Sequence, residues 1–65
     1  IKNKYKKNNL IYWKGHVAIC LNSNNLIHAY GPRKKVVTMS IKDTILEIKK
    51  KSNLKVISIK NINDN

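Results

Sequence analysis

Trp13-Lys14-Gly15-His16-Val17-Ala18-Ile19-Cys20-Leu21-Asn22-Ser23-Asn24-Asn25-Leu26-Ile27-His28-Ala29-Tyr30 decides the reading of this chain. Two apolar, β-prone runs flank the polar stretch Asn22-Ser23-Asn24-Asn25, as in a β-hairpin. Side chains alternate along a strand, so Val17, Ile19 and Leu21 share one face, and His16, Ala18 and Cys20 share the other. The second face is small or polar, and a helix can approach closely over Ala18. The next strand sets Leu26, His28 and Tyr30 on a single face. Loop parity then decides whether the two histidines meet. A two-residue loop would put them on opposite faces. A three-residue loop, Asn22-Ser23-Asn24 closed by Leu21 and Asn25, sets His28 across from Ala18 and makes it a diagonal neighbour of His16, roughly 7 Å away. We expect the odd loop, with an Asn in the left-handed conformation that such hairpins use.

Outward from the hairpin, residues 1–9 are polar and basic and read as a loop, which Tyr5 can anchor. Leu10-Ile11-Tyr12-Trp13 is a preceding strand, and Lys14-Gly15 a tight bend. After Tyr30, the basic turn Gly31-Pro32-Arg33-Lys34-Lys35 ends the strand, because proline fixes φ. Val36–Met39 forms a fourth strand. Ser40 caps a helix, with Asp43 in a capping-box position. Ile41, Ile45 and Ile48 share a helix face with Leu46 alongside, and Asn53 closes the helix as its C′ residue. Asp43 and Glu47 lie early in the helix and Lys49, Lys50 and Lys51 late, as the helix dipole favours. Leu54–Ile59 is a fifth strand, and Lys60–Asn65 a frayed tail. The fold class is therefore α+β: an antiparallel sheet of about five short strands, with one helix near the C-terminus.

The chain has 65 residues and a net charge of +11. Such a charge suggests an acidic partner: nucleic acid, an anionic membrane surface or an anionic wall polymer. A plainer account stands beside it. Lys, Asn and Ile supply half of the residues, and all three have A/T-rich codons, so a biased genome yields the same composition. The lone cysteine excludes an internal disulfide, and one Cys with two His falls short of a structural zinc site. No apolar run approaches the roughly 18 residues of a membrane span. The chain begins with Ile1 rather than Met, and we expect a fragment of a longer protein.

Only Asp43, Glu47 and Asp64 carry carboxylates, which leaves no acid pair for carboxylate-based hydrolysis. Glycine-rich phosphate loops and nucleophile elbows are missing too. Cys20 invites a thiolate reading. It is separated from His16 by four strand residues, about 13 Å, against a hydrogen-bond reach of about 3 Å. It also lacks a helix N-terminus to lower its pKa. Cys20 therefore reads as a buried, inert thiol. What remains is His16 and His28: either a base held by a second polar group, or half of a metal site whose further ligand comes from elsewhere.

Residues 10–19, Leu-Ile-Tyr-Trp-Lys-Gly-His-Val-Ala-Ile, together with Ile27-His28-Ala29, resemble the second half of the NlpC-type cell-wall peptidases, which are papain-like cysteine peptidases with a Cys-His-His site. The family pattern is a strand ending in a bulky aromatic, then His-Val-Gly-Ile and a turn, then an apolar pair and His-Ala. Trp13, His16–Ile19 and Ile27–Ala29 match it in order and spacing. Ala18 replaces the commoner Gly, and Asn9 stands where Asp is frequent. The resemblance covers residues 8–60. It implies that residues 1–65 are one piece of a single domain, with a strand core over 10–60 and without the family's N-terminal helices. It also implies a general base at His16, an orienting residue at His28, and a nucleophilic Cys upstream in an Asp-Cys-Ser-Gly type motif that these residues do not contain. Neither cofactor nor metal is implied. The implied substrate is a peptidoglycan stem peptide cut between D-γ-glutamate and a diamino acid. The implied partners are the rest of the same domain and bacterial SH3-like domains. A secreted, periplasmic or wall-associated location follows from the same resemblance. On this reading a covering helix over Ala18 is missing, and the piece folds poorly alone. The competing reading is a small basic module that binds nucleic acid or an anionic wall, with Trp13 exposed on a basic face.

Overall fold

The structure, a computed structural model, describes residues 5–31 and 34–61. Five strands and one helix follow in the order β1 (Asn9–Trp13), β2 (His16–Cys20), β3 (Asn25–Tyr30), β4 (Lys35–Ser40), α1 (Ile41–Ser52) and β5 (Ser58–Asn61). The sheet order is β4-β3-β2-β1-β5. All its pairings are antiparallel. Strands β1 to β4 are therefore a meander, and α1 returns the chain to the far edge, where β5 joins β1. The α+β class and the antiparallel sheet agree with the reading of the sequence.

Local chemistry explains the turns. Gly15 adopts φ 76° in the bend that closes Trp13 against His16, a conformation glycine reaches without a Cβ clash. The β2–β3 loop has the expected odd register, with Ile19 across from Ile27 and Cys20 across from Leu26. Leu21 N donates to Asn25 O at 2.8 Å. The stabilising device differs from the left-handed Asn expected there. Asn22 Oδ1 accepts from the backbone N–H of both Asn24 and Asn25, each at 2.8 Å. Its side chain imitates a backbone turn, so no residue of the loop needs positive φ.

Ser40 caps α1, its Oγ accepting from Asp43 N at 3.0 Å. Asn53 ends the helix at φ 53°, and its N–H donates to Lys49 O. Ile41 N donates to Asn24 O, tying the start of the helix to the β2–β3 loop. The inward stripe of α1 is Ile41, Thr44 and Ile48, with Ile45 partly buried. Leu46 is exposed, a correction to its place beside the apolar stripe. Thr44 takes the inward position because 41, 44 and 48 fall on one side of a 3.6-residue helix. Its hydroxyl donates to Ser40 O at 2.7 Å, so its burial leaves no polar group unpaired.

The core is Ile11, Trp13, Ala18, Cys20, Leu26, Tyr30, Ile41 and Ile48. Ala18 is thus enclosed within the described residues, in one cluster with two isoleucines of α1. Ala18 is 1 % exposed, which corrects the expectation that its face is left uncovered. The face of Val17 and Ile19 points outward instead, and both residues are exposed.

The last strand begins later than expected. Leu54–Ile57 lies outside the ladder, and β5 is Ser58–Asn61. The partner sets the limit: β1 ends at Trp13, and its Tyr12 pairs with Ser58. Ile57 falls across from Trp13, the last residue of β1, and its N–H reaches Tyr12 O at 2.7 Å; the residues before it have run beyond β1. Lys60 and Asn61 belong to β5 rather than to a frayed tail, while the rest of that tail, 62–65, lies outside the described residues. So do residues 1–4 of the leading loop and the turn residues Pro32 and Arg33. Tyr5 packs against the core and anchors the loop.

Candidate active site

The meander brings His16 and His28 together. His16 is the first residue of β2 and sits across from Trp13. His28 lies in β3, across from Val37 of β4. Extending the β2–β3 register by one pair sets Ala18 across from His28, so the two histidines are diagonal neighbours on the inner face. His16 Nε2 and His28 Nδ1 are 2.8 Å apart, within strong hydrogen-bond range. The second nitrogen of His28, Nε2, lies 3.3 Å from Met39 Sδ.

Aromatic rings hold this pair. His28 stacks on Tyr30 with ring centroids 4.8 Å apart and planes 15° apart. His16 meets His28 edge-on at 5.0 Å and Trp13 at 5.5 Å. His28 is 4 % exposed, and Trp13 2 %. His16 is half-buried and borders a shallow groove of about 430 Å³, lined by Tyr12, Trp13, Gly15, His16, Val17 and Ala29. One histidine is thereby locked inside, and the other presents an edge to the groove. Burial disfavours the charged imidazolium and holds His16 below its ordinary pKa of 6.5. At neutral pH His16 is an uncharged base. Its Nδ1 has no hydrogen-bond partner among the described residues.

Cys20 stands at the other end of β2 from His16, 1 % exposed, and burial pushes its thiol pKa up. Tyr5 shares this surrounding; its hydroxyl is pushed up first by burial and then by the charge of Cys20. Of the carboxylates, Asp43 and Glu47 lie on α1 and Asp64 lies outside the described residues. Among the described residues no group of three or more His, Cys, Asp or Glu side chains converges to hold a metal. Nor is any helix among them long and apolar enough to cross a membrane.

Two features of the site went unread in the sequence. Met39 joins it only through the β3–β4 register, which pairs Leu26 with Met39 and so sets Met39 diagonal to His28. Period-2 alternation places Met39 on a face, but only a known register names its neighbour. The indole Nε1 of Trp13 is the second: it is buried with no hydrogen-bond partner among the described residues. Comparison with protein-family models, with curated proteins and with solved structures returns no match.

Proposed function

We propose that His16 and His28 are the base and the orienting member of a cysteine-peptidase site of NlpC type, whose thiol is supplied by chain outside these 65 residues. The observation that carries this reading is the 2.8 Å contact between His16 Nε2 and His28 Nδ1. It links a half-exposed imidazole to a buried one, which is how a triad orients its base through the second ring nitrogen. The free nitrogen of His16 is left to meet a nucleophile. Burial of Trp13 and Tyr30 weighs in the same direction. Neither ring offers the open stacking face that a nucleic-acid module needs.

In this mechanism His16 takes the thiol proton as the sulfur attacks the peptide carbonyl. The imidazolium returns the proton to the leaving amine, and water then hydrolyses the thioester. His28 holds the ring of His16 throughout. The substrate class, a D-γ-glutamyl-diamino acid bond in a peptidoglycan stem, follows from the sequence resemblance. So does the association with wall, for which the net charge of +11 is suited.

The test is digestion of purified peptidoglycan by the protein in its natural full length, with released fragments read by mass spectrometry. Cleavage that is lost on thiol alkylation and in His16→Ala is the expected result. The upstream coding sequence should contain a Cys followed by Ser-Gly at a helix start. A parent protein without such a Cys, or cleavage indifferent to thiol alkylation, would overturn the reading.

A further inference from the structure

We infer that the outer face of the sheet is a docking surface for an amphipathic helix of a partner protein, one whose aliphatic ridge is flanked by carboxylates. An antiparallel sheet covered on one side normally turns polar residues to water on the other. Here the outward positions of β2 are Val17 and Ile19, with Leu21 continuing their series, and those of β3 include Ile27 and Ala29. Val36 of β4 lies across from Ala29 and so shares this face. Val17, Ile19, Leu21 and Val36 are all exposed, four of the six exposed large apolar side chains among the described residues. Single exposed apolar residues are ordinary, but a cluster of them on one face marks an interaction surface.

The face is shaped as well as apolar. Ala29 is small, and it lies between Val36 of β4 and, extending the β2–β3 register, Val17 of β2. A trough of about 300 Å³ runs there, its apolar lining made by Val17, Ile19, Ile27, Ala29 and Val36. A second groove of about 380 Å³ shares Ala29 and Val36 and continues to Gly31, Lys34 and Lys35. The apolar floor thus leads into two lysines. Lys60 shares the outer face at the other edge of the sheet, across from Leu10. The carboxylates of the described residues, Asp43 and Glu47, are both on α1, whose Ile41 and Ile48 join the core on the inner side. Among the described residues the outer face therefore offers cations and no acid.

Shape and charge together select the occupant. A concave trough takes a protruding row of side chains, which the ridge of a helix supplies and a flat lipid surface does not. The lysines at its end call for carboxylates beside that row. A second copy of this chain fits poorly, because each copy brings a net charge of +11 to the contact. Neither histidine takes part in this recognition, so a failed hydrolase reading leaves the surface as it is.

The experiment is an NMR titration of the 15N-labelled intact protein with a synthetic helical peptide of about 16 residues. The peptide carries Leu at i, i+4 and i+7 and Glu on both flanks; a second peptide has Lys in place of every Glu. The Glu peptide should shift the amides of Val17, Ile19, Ile27, Ala29 and Val36, and the Lys peptide should bind about tenfold more weakly. Lys34→Glu combined with Lys35→Glu should reverse that preference, which a loss of folding cannot do. Ala29→Leu fills the trough and should weaken the Glu peptide several-fold. Equal affinity for the two peptides, shifts confined to the inner face, or no shift at millimolar peptide would overturn the proposal. So would a face already shielded from a soluble paramagnetic probe by another part of the full-length protein. A dimer in sedimentation that excludes the peptide would assign the face to a second copy instead. Tighter binding to phosphatidylglycerol vesicles than to the Glu peptide, lost in Val36→Asp, would assign it to lipid.

Discussion

At the scale of single residues, the histidines show how burial and contact divide two like side chains. His28 is enclosed and stacked, while His16 keeps one edge at a groove. The cost of charging His16 makes a pH signature. Its folded pKa lies below 6.5, so as pH falls the unfolded chain takes up this proton before the folded one does. Stability from this group is fully present above about pH 6.5 and is lost as pH falls through the lower folded value. Trp13, His28 and Tyr30 face the ring, and none supplies a negative charge at neutral pH to offset the loss. Urea midpoints at pH 7.5 and 5 should therefore fall toward acid. His16→Gln should flatten that slope; an equally steep slope in the variant would place its origin elsewhere.

At the scale of elements, each boundary has a local cause that can be tested alone. Ser40 satisfies the N–H of Asp43, one of the orphan donors at a helix start. Ser40→Ala should cost about 1 kcal/mol. Asn53 holds φ 53° at the other end. Asn53→Gly should leave stability within about 0.5 kcal/mol, since glycine reaches that region freely. Asn53→Val should lose about 1–2 kcal/mol, because a β-branched residue clashes there. Denaturant melts of the three variants decide the matter. Equal loss in the glycine and valine variants would mean that the Asn side chain, not the backbone angle, is what counts. Both caps lay open in the sequence, since they depend on residues within one helical turn. The β2–β3 loop was half open. Its odd parity was expected from the Asn-rich turn, but the use of Asn22 as a side-chain turn was not, because several asparagines there can make the same bond.

At the scale of the whole molecule, a short chain closes a core around very few side chains. Ile11 is 0 % exposed in the middle of β1, in one cluster with Ile41 and Ile48 of α1. Ile11→Ala should cost about 2–5 kcal/mol, which is comparable to all that a domain of this size holds, roughly 3–5 kcal/mol. The variant should be largely unfolded by circular dichroism at 25 °C. Val36, 62 % exposed on the opposite face, provides the contrast. Val36→Thr should stay within about 0.5 kcal/mol of the parent. A well-folded Ile11→Ala would show that the core tolerates a cavity where this packing says it cannot.

Sequence alone determined those features that depend on near neighbours: strands at the β-branched runs, a bend at Gly15, caps at Ser40 and Asn53, and the parity that puts His16 and His28 on one face. Tertiary structure decided the rest. Alternation says that Val17 and Ala18 point opposite ways, but only the packed core says that Ala18 is inside. Leu54–Val56 is as β-prone as any run in the chain, yet it lies outside the sheet because β1 has already ended. Met39 reached His28 through a register between strands, and Thr44 came inward through the docking of a helix. The physical reason is common to all of these. A strand or helix offers its faces and edges symmetrically until another element covers one of them, and that choice is made by packing over long separations in the chain.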